Sequence, residues 1–131
     1  MIGVVIVTHG SLASALLNTV ELIMGKQEQI TTVAFETGQA VTDLQTRITQ
    51  AAIQVDSGHG ILIFVDILGG SPYNASAMLM MERENIEMIT GVNISMLFEV
   101  LPVRTGKLES VVEVALDGGR NGITRFAMSR K

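Results

Sequence analysis

An α/β domain with a doubly wound, mostly parallel sheet follows from three features of this sequence. Short apolar, β-branched runs at Ile2 to Val7, Ile30 to Phe35, Gly60 to Val65 and Ile86 to Thr90 alternate with segments whose apolar residues recur at helical spacing. Each helical segment is long enough to carry the chain back for a parallel crossover. Hydrophobic residues make up 47% of the 131 and charged residues only 17%, which asks for a sheet covered on both faces. At this length the whole chain, 1–131, reads as one domain around a single core.

The elements follow in order. Ile2 to Val7 is a strand buried on both faces that runs into Thr8-His9-Gly10. Leu12, Leu16, Leu17, Val20, Ile23 and Met24 then mark a helix, with Ser11 in the N-cap position and Gly25 in the C-cap position. Ile30 to Phe35 is a second strand, and Val41, Leu44, Ile48, Ala51 and Val55 form the stripe of the helix after it. The third strand ends at Val65 and opens into Asp66-Ile-Leu-Gly-Gly-Ser-Pro-Tyr-Asn74, followed by a Met-rich helix to about Glu84, with Ser71 as cap and Pro72 at its first helical position. After the short fourth strand, Asn93 caps a helix through Leu101 that Pro102 interrupts. A helix from about Gly106 is expected to end at Asp117-Gly118-Gly119, and Gly122 to Met128 reads as a weak strand.

Right-handed crossovers leave few strand orders, and the flavodoxin-like order 2-1-3-4 is common among small domains of this type. Its ligand crevice lies between the carboxyl ends of strands 1 and 3. His9 and Asp66, distant in sequence, then become neighbours at that crevice.

Composition excludes several classes of function. There is no cysteine, so disulfide frameworks, thiolate nucleophiles and sulfur-based zinc sites are absent, which suits a cytoplasmic protein. Mean hydropathy is +0.42, yet the longest unbroken apolar runs are Ile61 to Val65 and Ala77 to Met81, far short of the ~20 residues of a membrane span. The first lysine is Lys26, too late for the charged start of a secretory signal. A net charge of −4, with no basic cluster and few aromatic residues, speaks against nucleic acid. Neither G-x-x-x-x-G-K-[ST] nor a G-x-G-x-x-G after strand 1 is present to hold a nucleotide.

The residues at the crevice point to phosphoryl chemistry. A neutral imidazole at His9 can act as nucleophile or general base. Asp66 can accept its Nδ1–H and leave Nε2 free. Gly69, Gly70 and Ser71, at a helix start, offer backbone N–H groups and a hydroxyl to an anion. Each has a plainer reading: His9 as a capping or core residue, Asp66 as an Asx-turn, Gly-Gly-Ser-Pro as a turn and cap. A phosphoryl group on a histidine nitrogen is the chemistry that uses all of them. His59 belongs to the opposite end of the sheet as a solvated turn residue, so the two histidines cannot join Asp66 in a metal site. Met78, Met80, Met81 and Met88 read as core filler. No cofactor is expected.

On Val5-Ile-Val-Thr-His-Gly10 and Val65-Asp-Ile-Leu-Gly-Gly-Ser-Pro-Tyr-Asn74 the chain resembles the IIA component (EIIA) of the mannose-family sugar phosphotransferase system (PTS) over essentially its whole length. The resemblance implies a phosphohistidine at His9, charged by the phosphorylated histidine carrier protein HPr and discharged onto the EIIB component, here as a separate chain. It implies that Asp66 orients His9, that Ser71 and nearby amides receive the phosphoryl group, and that the membrane is met only through the permease complex. It also implies a homodimer in which a C-terminal antiparallel edge strand is exchanged. The similar leading domain of the dihydroxyacetone kinase phosphotransfer subunit is an alternative that Gly69-Gly70-Ser71-Pro72 disfavours. A non-catalytic regulatory module of the same fold is a further one.

Overall fold

The computed structural model describes residues 1–129. Its elements are β1 (Gly3–His9), α1 (Leu12–Met24), β2 (Ile30–Phe35), α2 (Val41–Val55), β3 (Ile61–Val65), α3 (Ser71–Glu82), β4 (Ile86–Ile89), α4 (Ile94–Val100), a 3₁₀ turn (Leu101–Val103) and α5 (Leu108–Asn121). The strands lie in the order β2-β1-β3-β4 and every pairing is parallel, as the alternation of strands and helices predicts.

Side chains alternate across the central strands and so divide the core in two. Val4 and Ile6 of β1 join Leu62 and Phe64 of β3 under α1, α4 and α5. Val5 and Val7 join Ile63 and Val65 under α2 and α3. All eight of these side chains are fully buried, which explains why both strands read as continuous apolar runs. At the amino ends of β1 and β2, buried Arg104 ties the layers together. Its Nη1 donates to the carbonyls of Ile2 and Gln29, and its Nη2 to that of Glu28 at 2.7 Å.

The structure corrects several local expectations. Ser11 holds the N-cap position of α1 without a side-chain bond; Thr8 Oγ1 accepts the Ala13 N–H at 2.8 Å instead, so the strand's last buried residue starts the helix. The cap position of α3 is Gly70, with Ser71 as its first residue. Asn93 does cap α4, accepting the Met96 N–H at 3.0 Å.

Gly118-Gly119 does not end a helix: α5 runs through both residues to Asn121. They allow close approach to α4, since a Cβ would stand 2.6 Å from Glu99 Cγ at position 118 and 2.6 Å from Met96 Cε at position 119, and those side chains would have to shift. The expected strand over 122–128 is not formed in this single chain. Residues 123–129 pair with no strand among the described residues, have no regular structure and are exposed. Met78 and Met81 are surface residues, 46% and 81% exposed. Pro72, Ala75, Ser76 and Leu79 take the inner face of α3 at helical spacing, which turns those two methionines outward.

Candidate functional site

Register sets the site. β1 pairs with β3 only as far as Val7↔Val65, but with β2 as far as His9↔Phe35. The last two residues of β1 therefore project past the end of β3 at the carboxyl edge, beside the turn that begins with Asp66. Gly10 follows at φ +56° and donates its N–H to the Phe35 carbonyl, turning the chain toward α1. His9 is held at its base and open at its ring, whose side chain is 45% exposed.

Asp66 makes the contact that the sequence anticipates. His9 Nδ1 lies 2.9 Å from Asp66 Oδ2, and the same oxygen accepts the backbone N–H of His9 at 3.0 Å. Oδ1 accepts the Ile67 N–H at 3.0 Å. Burial works to raise the Asp66 carboxyl, but hydrogen bonds from the His9 ring, the His9 backbone and its own turn outweigh it and hold the group below its usual 3.8. An ionised carboxylate only accepts, so Nδ1 carries a proton, and the neutral tautomer that this contact selects has its lone pair on Nε2. The edge of Phe35 supports the ring, with centroids 6.1 Å apart and planes at 74°.

The Gly69-Gly70-Ser71 segment meets the ring from the side of Nε2. A Cβ on Gly70 would stand 3.0 Å from His9 Cε1 and 3.6 Å from Nε2, so any larger residue would press on the ring. Among the described residues the N–H groups of Gly69, Gly70 and Ser71 donate to no protein acceptor. They are unpaired donors at the start of α3, where the helix dipole favours negative charge. The sequence-predicted residues His9, Asp66, Gly69, Gly70 and Ser71 thus gather at one crevice. His59 lies before β3 at the other end of the sheet, its Nδ1 3.2 Å from Ser57 Oγ.

One wall was missed in the sequence. Glu36, Thr37 and Gly38, after β2, share a depression of about 230 Å³ with His9, Gly10 and Phe35. Gln39 Oε1 organises this turn by accepting the Glu36 N–H at 2.9 Å and an Arg47 Nη2 donor at 2.8 Å, while Arg47 Nη1 donates to the Ala34 carbonyl at 2.7 Å. The signal was present in the strand order, because β2 flanks β1 and its following loop must open beside His9. Leu12, Ile67 and Leu68, on the segments that follow β1 and β3 at the same carboxyl edge, are 44%, 57% and 71% exposed.

Such a fold is a parallel α/β domain with a carboxylate-bonded histidine and a helix start side by side at the carboxyl edge of the sheet, where domains of this class place their ligand sites. Residues 3–115 match the family model described as PTS system fructose IIA component, and the chain belongs to that EIIA family.

The mannose-specific EIIAB component of Escherichia coli K12 is 36% identical over 124 residues, 93% of this chain. This chain spans only 38% of that relative's length. The fructose-specific EIIA component of Bacillus subtilis is 38% identical over 104 residues, 79% of this chain and 71% of the relative. Among solved structures, the phosphotransferase system component EIIA from Streptococcus agalactiae superposes with a TM-score of 0.87 at 31% identity, covering 95% of this chain and 97% of the other. No helix among the described residues is long and apolar enough to cross a membrane.

Proposed function

We propose that the chain is a phosphohistidine carrier of sugar uptake: His9 takes a phosphoryl group from phosphorylated HPr and gives it to an EIIB component in the cytoplasm. The observation that carries this is the Nδ1–Asp66 contact with Gly70 on the Nε2 side of the same ring. The Nε2 lone pair attacks phosphorus as the donor's N–P bond breaks, and the bonding pair leaves with the donor imidazole. The new N–P bond leaves His9 with its Nδ1 proton and a cationic ring, which the Asp66 carboxylate balances. The free N–H groups of Gly69, Gly70 and Ser71, with the Ser71 hydroxyl, take the equatorial oxygens. Discharge to EIIB is the same step reversed against a new nitrogen.

The shape of the site supports a macromolecular donor: a half-exposed imidazole at a sheet edge that also carries the exposed Leu12, Ile67 and Leu68 suits docking of a second protein better than enclosure of a small molecule. The chain further works as a homodimer in which residues 122–128 pair with the partner's sheet.

Incubation with phosphorylated HPr, followed by mass and phosphorus NMR mapping of an acid-labile, base-stable group, tests the assignment. Labelling is expected in the wild type and lost in His9→Gln, with His59→Gln labelled normally. Equal labelling of wild type and His9→Gln would refute it.

A further inference from the structure

Resting on the reading of His9 as phosphoryl acceptor, we propose that Asn74 is a positioning residue that sets the direction of the phosphoryl cradle by holding the Gly69–Gly70 peptide. Gly69 stands at φ +83° and Gly70 at φ −79° and ψ 178°. Without Cβ atoms on either side, the peptide between them rotates about its flanking bonds with little steric resistance. Two glycines admit the close approach to His9 and, for the same reason, give their shared peptide no side-chain hold beyond the turn that Leu68 and Gly69 form.

Asn74 adds that hold. Its Nδ2 donates to the Gly69 carbonyl at 3.3 Å, and its backbone N–H donates to the Gly70 carbonyl at 2.9 Å as the first turn of α3. A carbonyl oxygen only accepts, so the amide nitrogen of Asn74 must be the atom that faces it. In a planar trans peptide the C=O and N–H point in opposite directions. Drawing the Gly69 oxygen toward Asn74 therefore turns the Gly70 N–H the other way. The His9 ring lies within contact distance of Gly70, and among the described residues that N–H has no protein acceptor. If the peptide flipped, a carbonyl oxygen would replace the N–H at the cradle and repel the phosphoryl oxygens. Asn74 acts only through this peptide; it is an exposed helix residue whose truncation leaves the buried face of α3 untouched.

The test follows the Gly70 amide by proton–nitrogen NMR in the full chain before and after charging with phosphorylated HPr. In the wild type the Gly70 amide proton moves downfield on phosphorylation, because it gains a charged acceptor. Asn74→Ala should at least halve that movement and slow transfer about tenfold, less than outright loss of an oxyanion donor costs. Asn74→Asp, of the same shape but with an acceptor where the donor stood, should do more. Thermal midpoints are measured alongside, since a merely structural role would lower the midpoint and leave the amide movement whole. A full-sized movement in either folded variant overturns the inference, as does a wild-type Gly70 amide that stays put while His9 is charged. Failure of the wild type to charge at His9 overturns the functional reading instead.

Discussion

A single oxygen of Asp66, Oδ2, accepts both the ring Nδ1–H of His9 at 2.9 Å and the backbone N–H of that same residue at 3.0 Å. Orientation of the ring and of its backbone is thereby set by one atom. An asparagine can offer one oxygen but brings an NH₂ in place of the other and loses the charge that balances a phosphorylated ring. Asp66→Asn should slow transfer from phosphorylated HPr on the order of 10- to 100-fold, the value of a hydrogen bond to a charged group, without abolishing it. Rapid-quench kinetics checks this, and a wild-type rate would remove Asp66 from its role.

The same pair gives the acid limb of stability a definite sign. The folded Asp66 titrates below its usual 3.8 because its hydrogen bonds favour the ionised form. A carboxyl lowered on folding stabilises the native state fully above the unfolded value, and that contribution disappears as pH falls through the lower folded value. Asp66→Asn should therefore narrow its stability gap to the wild type as pH drops below about 4. Urea melts across that range read the gap directly; a constant gap would mean that the carboxyl does not titrate as its contacts require.

Gly70→Ala separates access from chemistry. Its methyl would stand 3.0 Å from His9 Cε1, tighter than ordinary contact, at a residue whose φ of −79° alanine adopts without strain. The ring must yield rather than the loop, because Gly70 is tied through its carbonyl to the first turn of α3. Transfer should fall at least tenfold while the thermal midpoint stays within a few degrees of wild type. Calorimetry beside the transfer assay distinguishes this from a folding defect.

Strands β1 and β3 were legible because burial on both faces leaves a continuous apolar run, and strand order then placed Asp66 beside His9 before any coordinates. What stayed hidden depends on partners distant in sequence. Gly118 and Gly119 carry the composition of a helix stop, and only the presence of Glu99 and Met96 across from them shows that they are packing positions. Arg104 reads as one more surface cation, yet it is buried on the carbonyls of Ile2, Glu28 and Gln29, three bonds that no local pattern encodes. Thr8 looked like the end of a strand, and its role as the cap of α1 depends on the tight turn at Gly10.

Ser76 is fully buried on the inner face of α3, and its Oγ has no hydrogen-bond partner among the described residues. A hydroxyl removed from water without compensation costs stability, whereas the methyl group of alanine does not. Ser76→Ala should be neutral or stabilising by up to about 1 kcal/mol, with transfer activity unchanged, since the residue lies beneath the helix and away from the cradle. Denaturant midpoints decide it; a loss of stability would mean that the hydroxyl has a partner in solution.

The last prediction concerns the segment after α5. Ile123, Phe126 and Met128 are 81%, 83% and 72% exposed, three large apolar side chains within six residues that are left in water in the single chain. Among the described residues β4 pairs with β3 alone, so its other edge presents backbone N–H and C=O groups that no strand covers. A groove of about 300 Å³ runs beside that edge, bounded by Thr90, Met96, Leu116 and Ile123. Exchange of residues 122–128 between two copies would pair the open edge and bury the apolar side chains in one arrangement with two-fold symmetry. The helix itself extends to Asn121, so the cut that isolates this effect falls after Gly122, where α5 is already capped by the bond to the Gly118 carbonyl. Light scattering at micromolar concentration should give twice the chain mass for the full protein and the single-chain mass for the truncated one, while the His9 site still accepts phosphate at a reduced or equal rate. A truncated chain that stays as dimeric as the full one would locate the interface on another face.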